Sequence, residues 1–250
     1  MQLQQTAALV LKVMDHGESD KIVTCLCPDK GKLTGIAKGA KRSKKRFVNK
    51  LEPYTLLNLE FTLGRHSSLV RIDQAELLNP FPALRRDYEL YTAAALICEL
   101  LLQWTRENDG DPPLFELSAW ALANLDAGGP WAETLILFQI KLFTLLGYRP
   151  QLSGCGECGT LTASRAPYRF SLSRGSLACA ACNREAGVAT LPLALDTASL
   201  LRLAQDLPII KLSRLRFSPP SAREALVMLK SYGCHLLQRD LHSWKHLAAV

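Results

Sequence analysis

Four cysteines set the tightest constraint on this 250-residue chain. They stand as Cys155-Gly-Glu-Cys158 and Cys179-Ala-Ala-Cys182, two Cys-x2-Cys pairs separated by twenty residues. A two-residue gap in a tight turn lets both thiolates face one ion, and two such turns complete a tetrahedron. Gly154, Gly156 and Gly159 give the first turn backbone freedom. The pattern predicts one zinc ion on Cys155, Cys158, Cys179 and Cys182, structural rather than catalytic because thiolates fill every position. The alternative is four reduced thiols with no metal. The segment that carries them, 151–190, lies between helical stretches and has no hydrophobic run of its own. Zinc would supply the stability that so small a core cannot.

The remaining cysteines read differently. Cys25 and Cys27 are two apart on a candidate strand and so share a face, while Cys98 and Cys234 fall in helical stretches. All four suit a core, where free cysteine is common. His242 and His246 have the i, i+4 spacing of some metal ligands, but no Glu or Cys accompanies them, which favours a solvated or capping role. No stretch reaches the roughly 18 apolar residues of a membrane helix; Ala93–Leu102 is interrupted by Glu99. The first twenty residues lack the basic start, apolar core and cleavage site of a signal peptide, so the expected compartment is the cytoplasm, with no membrane partner. Clustered cysteines there are more often metal ligands than disulfides.

A second feature is local charge. Lys38–Lys50 (KGAKRSKKRFVNK) holds seven cations and no acid, and counting from Lys30 makes nine. The whole chain carries only +7, so without those nine it would be slightly acidic. A dense basic run beside strand-like sequence fits a phosphate-backbone contact, since each cation that neutralises a phosphate releases condensed counterions. It also fits a solvated loop or a localisation signal.

In chain order, residues 1–80 look β-rich. Ala8–Met14, Lys21–Cys27, Lys32–Lys38, Thr55–Leu63 and Ser68–Leu77 are five short strand candidates, with the turn sequence PDKG between the second and third. Five strands joined by turns fit a small antiparallel barrel such as the OB-fold. The basic run falls between the third and fourth. Residues 1–80 balance at +5 and residues 81–250 at +2, and NPFP (Asn79–Pro82) is a natural break. Beyond it, Leu84–Asn108 has helical spacing. Pro112–Pro113 open Leu114–Asp126, and Pro130 opens Ala132–Leu146, which is apolar nearly all round and so predicted to be central. Leu191–Asp206 and Ser221–Leu247 are further helical stretches, the second with Ser221 and Glu224 at capping-box spacing. The expected architecture is α+β and multidomain: an OB-fold barrel over 1–80, a helical domain in two parts, 81–150 and 191–250, and the zinc-binding insert 151–190 between them.

No GxxxxGK[ST], GxSxG or HExxH sequence is present, and nothing assembles a nucleophile, a base and an orienting group. A binding protein is expected rather than an enzyme. Its phosphate contacts would be Lys38, Lys41, Arg42, Lys44, Lys45, Arg46 and Lys50, extended by Lys21, Arg65 and Arg71 on or beside strands. Phe47, Tyr54 and Phe61 are aromatic candidates for stacking on bases, though Phe61 with its apolar neighbours suits the barrel core equally. Lys211, Arg214, Arg216, Arg223 and Lys230 form a second basic group that fits DNA, an acidic peptide or an ordinary helix surface.

The order of parts resembles the bacterial RecO family of DNA repair and recombination mediators. The matching stretches are GESDKIVTCLCPDKGKLTGIAKGAKRSKKRF (Gly17–Phe47), LEPYTLLNLEF after it, GYRPQLSGCGECG (Gly147–Gly159) and YGCHLLQRDLHSWKHL (Tyr232–Leu247). The most specific piece is AKGAKR (Ala37–Arg42), and the likeness spans essentially the whole chain. Some members lack the zinc cysteines; this sequence keeps all four. The resemblance implies an N-terminal OB-fold, binding of single- and double-stranded DNA, and annealing without ATP. It also implies partnership with RecR, and with the acidic tail of single-strand DNA-binding protein, in loading recombinase. Two other readings of the residues stay open: an RNA-associated protein with an OB-fold and zinc ribbon, and a non-enzymatic interaction scaffold.

Overall fold

The computed structural model describes residues 3–63, 69–160, 168–183 and 189–247. The chain divides into two compact units, residues 1–127 and 128–250.

In the first unit, β1 (Leu3–His16), β2 (Asp20–Cys27), β3 (Gly31–Ala37), β4 (Leu56–Thr62) and β5 (Val70–Asn79) form a closed barrel in the order β1-β2-β3-β5-β4. All pairs are antiparallel except β3 with β5, where Gly35 lies opposite Val70. This is the five-stranded OB arrangement expected from the turn-linked strand pattern. β1 closes the barrel by serving two neighbours: Leu3–Leu9 pair with β4, and Leu9–His16 pair with β2. A register shift between Val10 and Lys12 bends it from one to the other. Alternation is clearest on β3, which buries Gly31, Leu33, Gly35 and Ala37 and leaves the residues between them half-buried. Cys25 and Cys27 both enter the core beside Val23, Leu57 and Phe61. Burial pushes the Cys27 thiol up to about 12, so it stays protonated and inert.

The helix expected over Leu84–Asn108 is two pieces. A 3-10 turn, Pro82–Arg85, precedes α1 (Tyr88–Trp104), and Asp87 between them is extended. The Asp87 carboxylate accepts the Leu90 N–H at 3.0 Å, so a capping residue ends what periodicity alone would have continued. Asp111 caps α2 (Pro112–Asp126) in the same way, through the Leu114 N–H.

The second unit is built on α3 (Trp131–Leu145), in which every residue from Thr134 to Phe143 is buried, as its apolar sequence predicts. The one cation among them is Lys141. Its Nζ donates to the carbonyls of Gln205 (2.7 Å) and Leu207 (2.6 Å), satisfying the end of α4 (Leu195–Asp206). Burial holds its pKa below the ordinary lysine value. The insert carries β6 (Gln151–Cys155), β7 (Tyr168–Ser171), β8 (Ser176–Ala178) and β9 (Thr190–Leu193), a sheet ordered β6-β8-β7-β9. β9 takes the residues with which the helix over Leu191–Asp206 was expected to begin.

The last long helix, α5 (Pro219–Leu237), also departs from expectation. It starts at the two prolines rather than after them, because proline has a helical φ and no N–H to leave unpaired. Its cap is therefore Ser218, whose hydroxyl accepts the Ser221 N–H at 3.3 Å, while Glu224 bonds the Ala194 N–H instead. The helix ends at Leu237, and His242–His246 form a separate 3-10 turn. Ser218→Ala is expected to cost about 1 kcal/mol in urea unfolding, and Ser221→Ala clearly less; the reverse order would restore Ser221 as the cap. Among the described residues, no helix is long and apolar enough to cross a membrane.

Candidate metal centre and nucleic-acid interface

The four cysteines meet where β6 ends and β8 runs out. Cys155 is the last residue of β6, Cys158 follows in a turn, and Cys179 and Cys182 span the turn after β8. Their sulfurs lie within 4.8 Å of one another, and Cys158 Sγ is 3.9 Å from Cys179 Sγ. A tetrahedron with metal–sulfur bonds of about 2.3 Å needs sulfurs about 3.8 Å apart, so the donors fit a tetrathiolate ion. Backbone hydrogen bonds fix both turns: Gly159 N–H to the Cys155 carbonyl (3.0 Å), and Cys182 N–H to that of Cys179 (3.1 Å). Burial opposes ionisation of Cys155, but N–H groups of Cys158, Cys179 and Glu157 outweigh it and bring the thiol down to about 6. Cys158 is also lowered, chiefly by the Thr160 hydroxyl 3.1 Å away. Cys182 is shifted the other way, up to about 12, by its hydrogen bonds with Cys158 and Cys179, so Cys155 and Cys158 give up their protons first. A donor set made wholly of sulfur suits a soft or borderline cation.

The basic run leaves β3 and forms a 3-10 turn at Ala40–Arg42, then packs back on the barrel through buried Ala40, Phe47 and Leu51. Its entrance is pinned by the Asp20 carboxylate, which accepts the Gly39 N–H at 2.8 Å. That bond and the Ser19 hydroxyl hold the Asp20 pKa below the usual carboxylate value. The pinning is therefore present at neutral pH and lost as pH falls through the depressed value.

Not all of the loop's cations face outward. Lys41 Nζ pairs with Asp15 (3.0 Å) and donates to the Gly17 carbonyl (3.1 Å). Lys50 Nζ donates to Ala75 O (2.8 Å) and Lys45 O (3.2 Å). Arg46 donates to Lys38 O and Asp73 O and covers the Phe47 ring at 4.9 Å. On the barrel, Lys21 pairs with Glu52 at 3.1 Å and Arg71 with Asp73 at 2.6 Å. Arg42 approaches Glu18 only at 3.8 Å, with both side chains in solvent, a pairing worth little. Lys38, Lys44 and Lys45 are exposed, and among the described residues no ion pair or side-chain hydrogen bond holds them. Arg65 lies outside the described residues.

The three aromatic candidates are not platforms. Phe47, Tyr54 and Phe61 are buried, with Phe61 wholly inside the barrel. Loop and strand aromatics near a small core are drawn into it, because each removes a large apolar surface from water. The exposed aromatics of the first unit are Tyr88 and Tyr91 at the start of α1. Sequence pattern hints at them only by placing both outside the Leu90–Ala94–Ile97–Leu101 stripe. Of the second basic group, Arg216 is exposed but pairs with Glu133 (3.6 Å) and Lys230 sits over the Trp244 ring (5.5 Å), while Lys211, Arg214 and Arg223 are exposed. His242 and His246 face each other, Nε2 to Nε2, at 3.3 Å on the surface.

Residues 1–81 match the family model described as recombination protein O N terminal, and residues 85–245 match recombination protein O C terminal. Among curated proteins, the chain is 38% identical to the DNA repair protein RecO of Syntrophobacter fumaroxidans, covering 99% of this chain and 98% of the relative. It is 36% identical to that of Anaeromyxobacter dehalogenans (100% and 98% covered) and 33% to that of Geobacter metallireducens (100% and 99%).

Proposed function

The chain belongs to the recombination protein O family, and from that premise we propose that it is a DNA repair and recombination mediator that binds DNA without catalysing a covalent reaction. The observation that carries this reading is a basic loop held to an OB barrel from one side while Lys38, Arg42, Lys44 and Lys45 point into solvent. A pinned loop presents its charges without first losing conformational entropy. Lys41, Arg46 and Lys50 shape the loop, and Lys21 and Arg71 brace the strands beneath it. Annealing then has an electrostatic account. Two strands repel, and a cationic surface that holds both lowers the repulsion and raises their local concentration. No bond is made or broken, so ATP and a catalytic residue are not needed. The tetrathiolate cluster takes one structural zinc ion. The partners are RecR and the acidic tail of single-strand DNA-binding protein, and the site of action is the cytoplasm, at the nucleoid.

ATP-free annealing of complementary strands coated with their binding protein tests this. The variant with alanine at Lys38, Arg42, Lys44 and Lys45 should keep its fold and zinc and lose annealing. With four phosphate contacts, log affinity of the wild type for single strands should fall with log salt at a slope of roughly −3, and the variant's slope should approach zero. Equal annealing by both would move the DNA site off this loop, and none by either would remove the mediator reading.

A further inference from the structure

We infer that Tyr88 and Tyr91 form a stacking platform for unpaired nucleobases; this rests on the DNA-binding reading above. Tyr88 is 66% exposed and Tyr91 47%. They stand three residues apart on the first turns of the 17-residue α1, and so on one face. Leaving two large rings in water forgoes burial that the nearby core residues obtain.

The platform is supported from below. The Tyr91 ring meets buried Tyr54 edge-on, with centroids 5.3 Å apart at 78°. Tyr54 is held in the left-handed region (φ 65°) and donates its N–H to the Val10 carbonyl at 2.9 Å, so it is fixed to the barrel. It also closes the segment that leads out of the basic loop, four residues after Lys50. Arg85 reinforces the junction through the Pro53 carbonyl at 2.7 Å. The tyrosines thus adjoin the exit of the phosphate-binding loop.

Charge around the rings is balanced, since exposed Arg85 and Arg86 precede exposed Asp87 and Glu89, so the tyrosines offer ring faces while the excess of positive charge lies on the loop. Phosphates sit on the loop and bases on the tyrosines. A base inside a duplex is already stacked on its neighbours, so the platform favours single strands. A loop that reads only phosphate does not discriminate in this way.

The test is anisotropy titration of the full chain with labelled oligo-dT and with a duplex of equal length, for Tyr88→Ala, Tyr88→Phe, Tyr91→Ala and Tyr91→Phe. Each alanine should weaken single-strand binding about tenfold, with duplex affinity and salt slope unchanged, and each phenylalanine should restore it. Oligo-dT carrying 5-iododeoxyuridine should photocrosslink to the peptide containing Tyr88. Tyr88→Ala removes a mostly solvated ring, which keeps the test clear of folding effects should Tyr91→Ala loosen Tyr54. Unchanged single-strand affinity in Tyr88→Ala, or equal losses on both DNAs, overturns the platform. If the loop variant loses binding while the tyrosine variants do not, the DNA reading stands and this inference falls. Wild-type protein that binds neither DNA removes both.

Discussion

Stripping zinc from the loaded protein with a tight chelator should lower its thermal midpoint by more than about 10 °C and abolish amide protection at residues 151–155 and 176–182. The size follows from what holds the insert together. Its strands are three to five residues long, and their buried apolar side chains besides Cys155 are few: Leu152, Tyr168, Phe170, Leu177, Ala178 and Leu193. Such a sheet would be marginal alone, whereas structural zinc contributes apparent free energies of about 10–16 kcal/mol in small modules. The insert also leans on α5, where Tyr232 touches the Phe170 ring (5.3 Å) and donates to the Tyr148 carbonyl (3.2 Å). That support should keep α3, α4 and α5 folded after the ion leaves, so far-UV dichroism should change little while the cysteine turns open. Cys158→Ser with Cys182→Ser should reproduce the chelated state without chelator. Four thiols titrating freely beside an unchanged melting curve, with or without chelator, would show that the cluster holds no structural ion.

Gly31→Val should cost about 3–5 kcal/mol in urea unfolding. Gly31 begins β3 with φ 62°, a region that costs a β-branched residue about 1–3 kcal/mol. Its missing Cβ is also where another loop sits. A Cβ there would collide with the Asp109 carbonyl and come within 2.7 Å of that of Arg106, and crowding of that kind adds about 1–3 kcal/mol. The residues between α1 and α2 are seated on the β2–β3 turn. The Lys32 N–H donates to Arg106 O (2.9 Å), Glu107 bridges to Gly31 and Lys32, and Lys32 Nζ reaches Leu102 O (3.2 Å) near the end of α1. Gly39 is the matched control. It has a similar φ of 68° but open space where a Cβ would be, so Gly39→Val should show only the backbone cost, about 1–3 kcal/mol. Equal losses at Gly31 and Gly39 would mean that the clasp contributes nothing.

Features with local causes were legible in the sequence. The five strands follow from alternation and from turn residues between them, the buried α3 from its all-round apolarity, and the four-cysteine cluster from paired spacing that is itself the geometry. Features that depend on distant partners were not. Lys41 and Lys44 are equivalent in the sequence; only the fold brings Asp15 to one of them. Lys50 is engaged by a carbonyl of Ala75, a group every residue carries. Strands β6 to β9 are too short for their period to register, and Tyr168 and Phe170 look like loop aromatics until β8 and β9 flank them. Phe47 and Tyr54 misled because an aromatic beside basic residues looks the same whether it faces a base or a core. The helix starts differ for separate reasons: Asp87 caps α1 late, β9 takes the first residues of the α4 stretch, and at α5 the prolines begin the helix.

The double duty of β1 has a consequence during synthesis. Its first half finds no partner until β4, which ends at Thr62, has left the ribosome. At roughly 5–20 residues per second that interval is several seconds. The waiting segment includes Ala8 and Leu9, which end wholly buried. Until then they form an apolar strand with an open edge, the kind of segment that pairs with other nascent chains. The β1–β2 hairpin can close early and hide one side, while the other edge stays open until β4 is made and the barrel is complete.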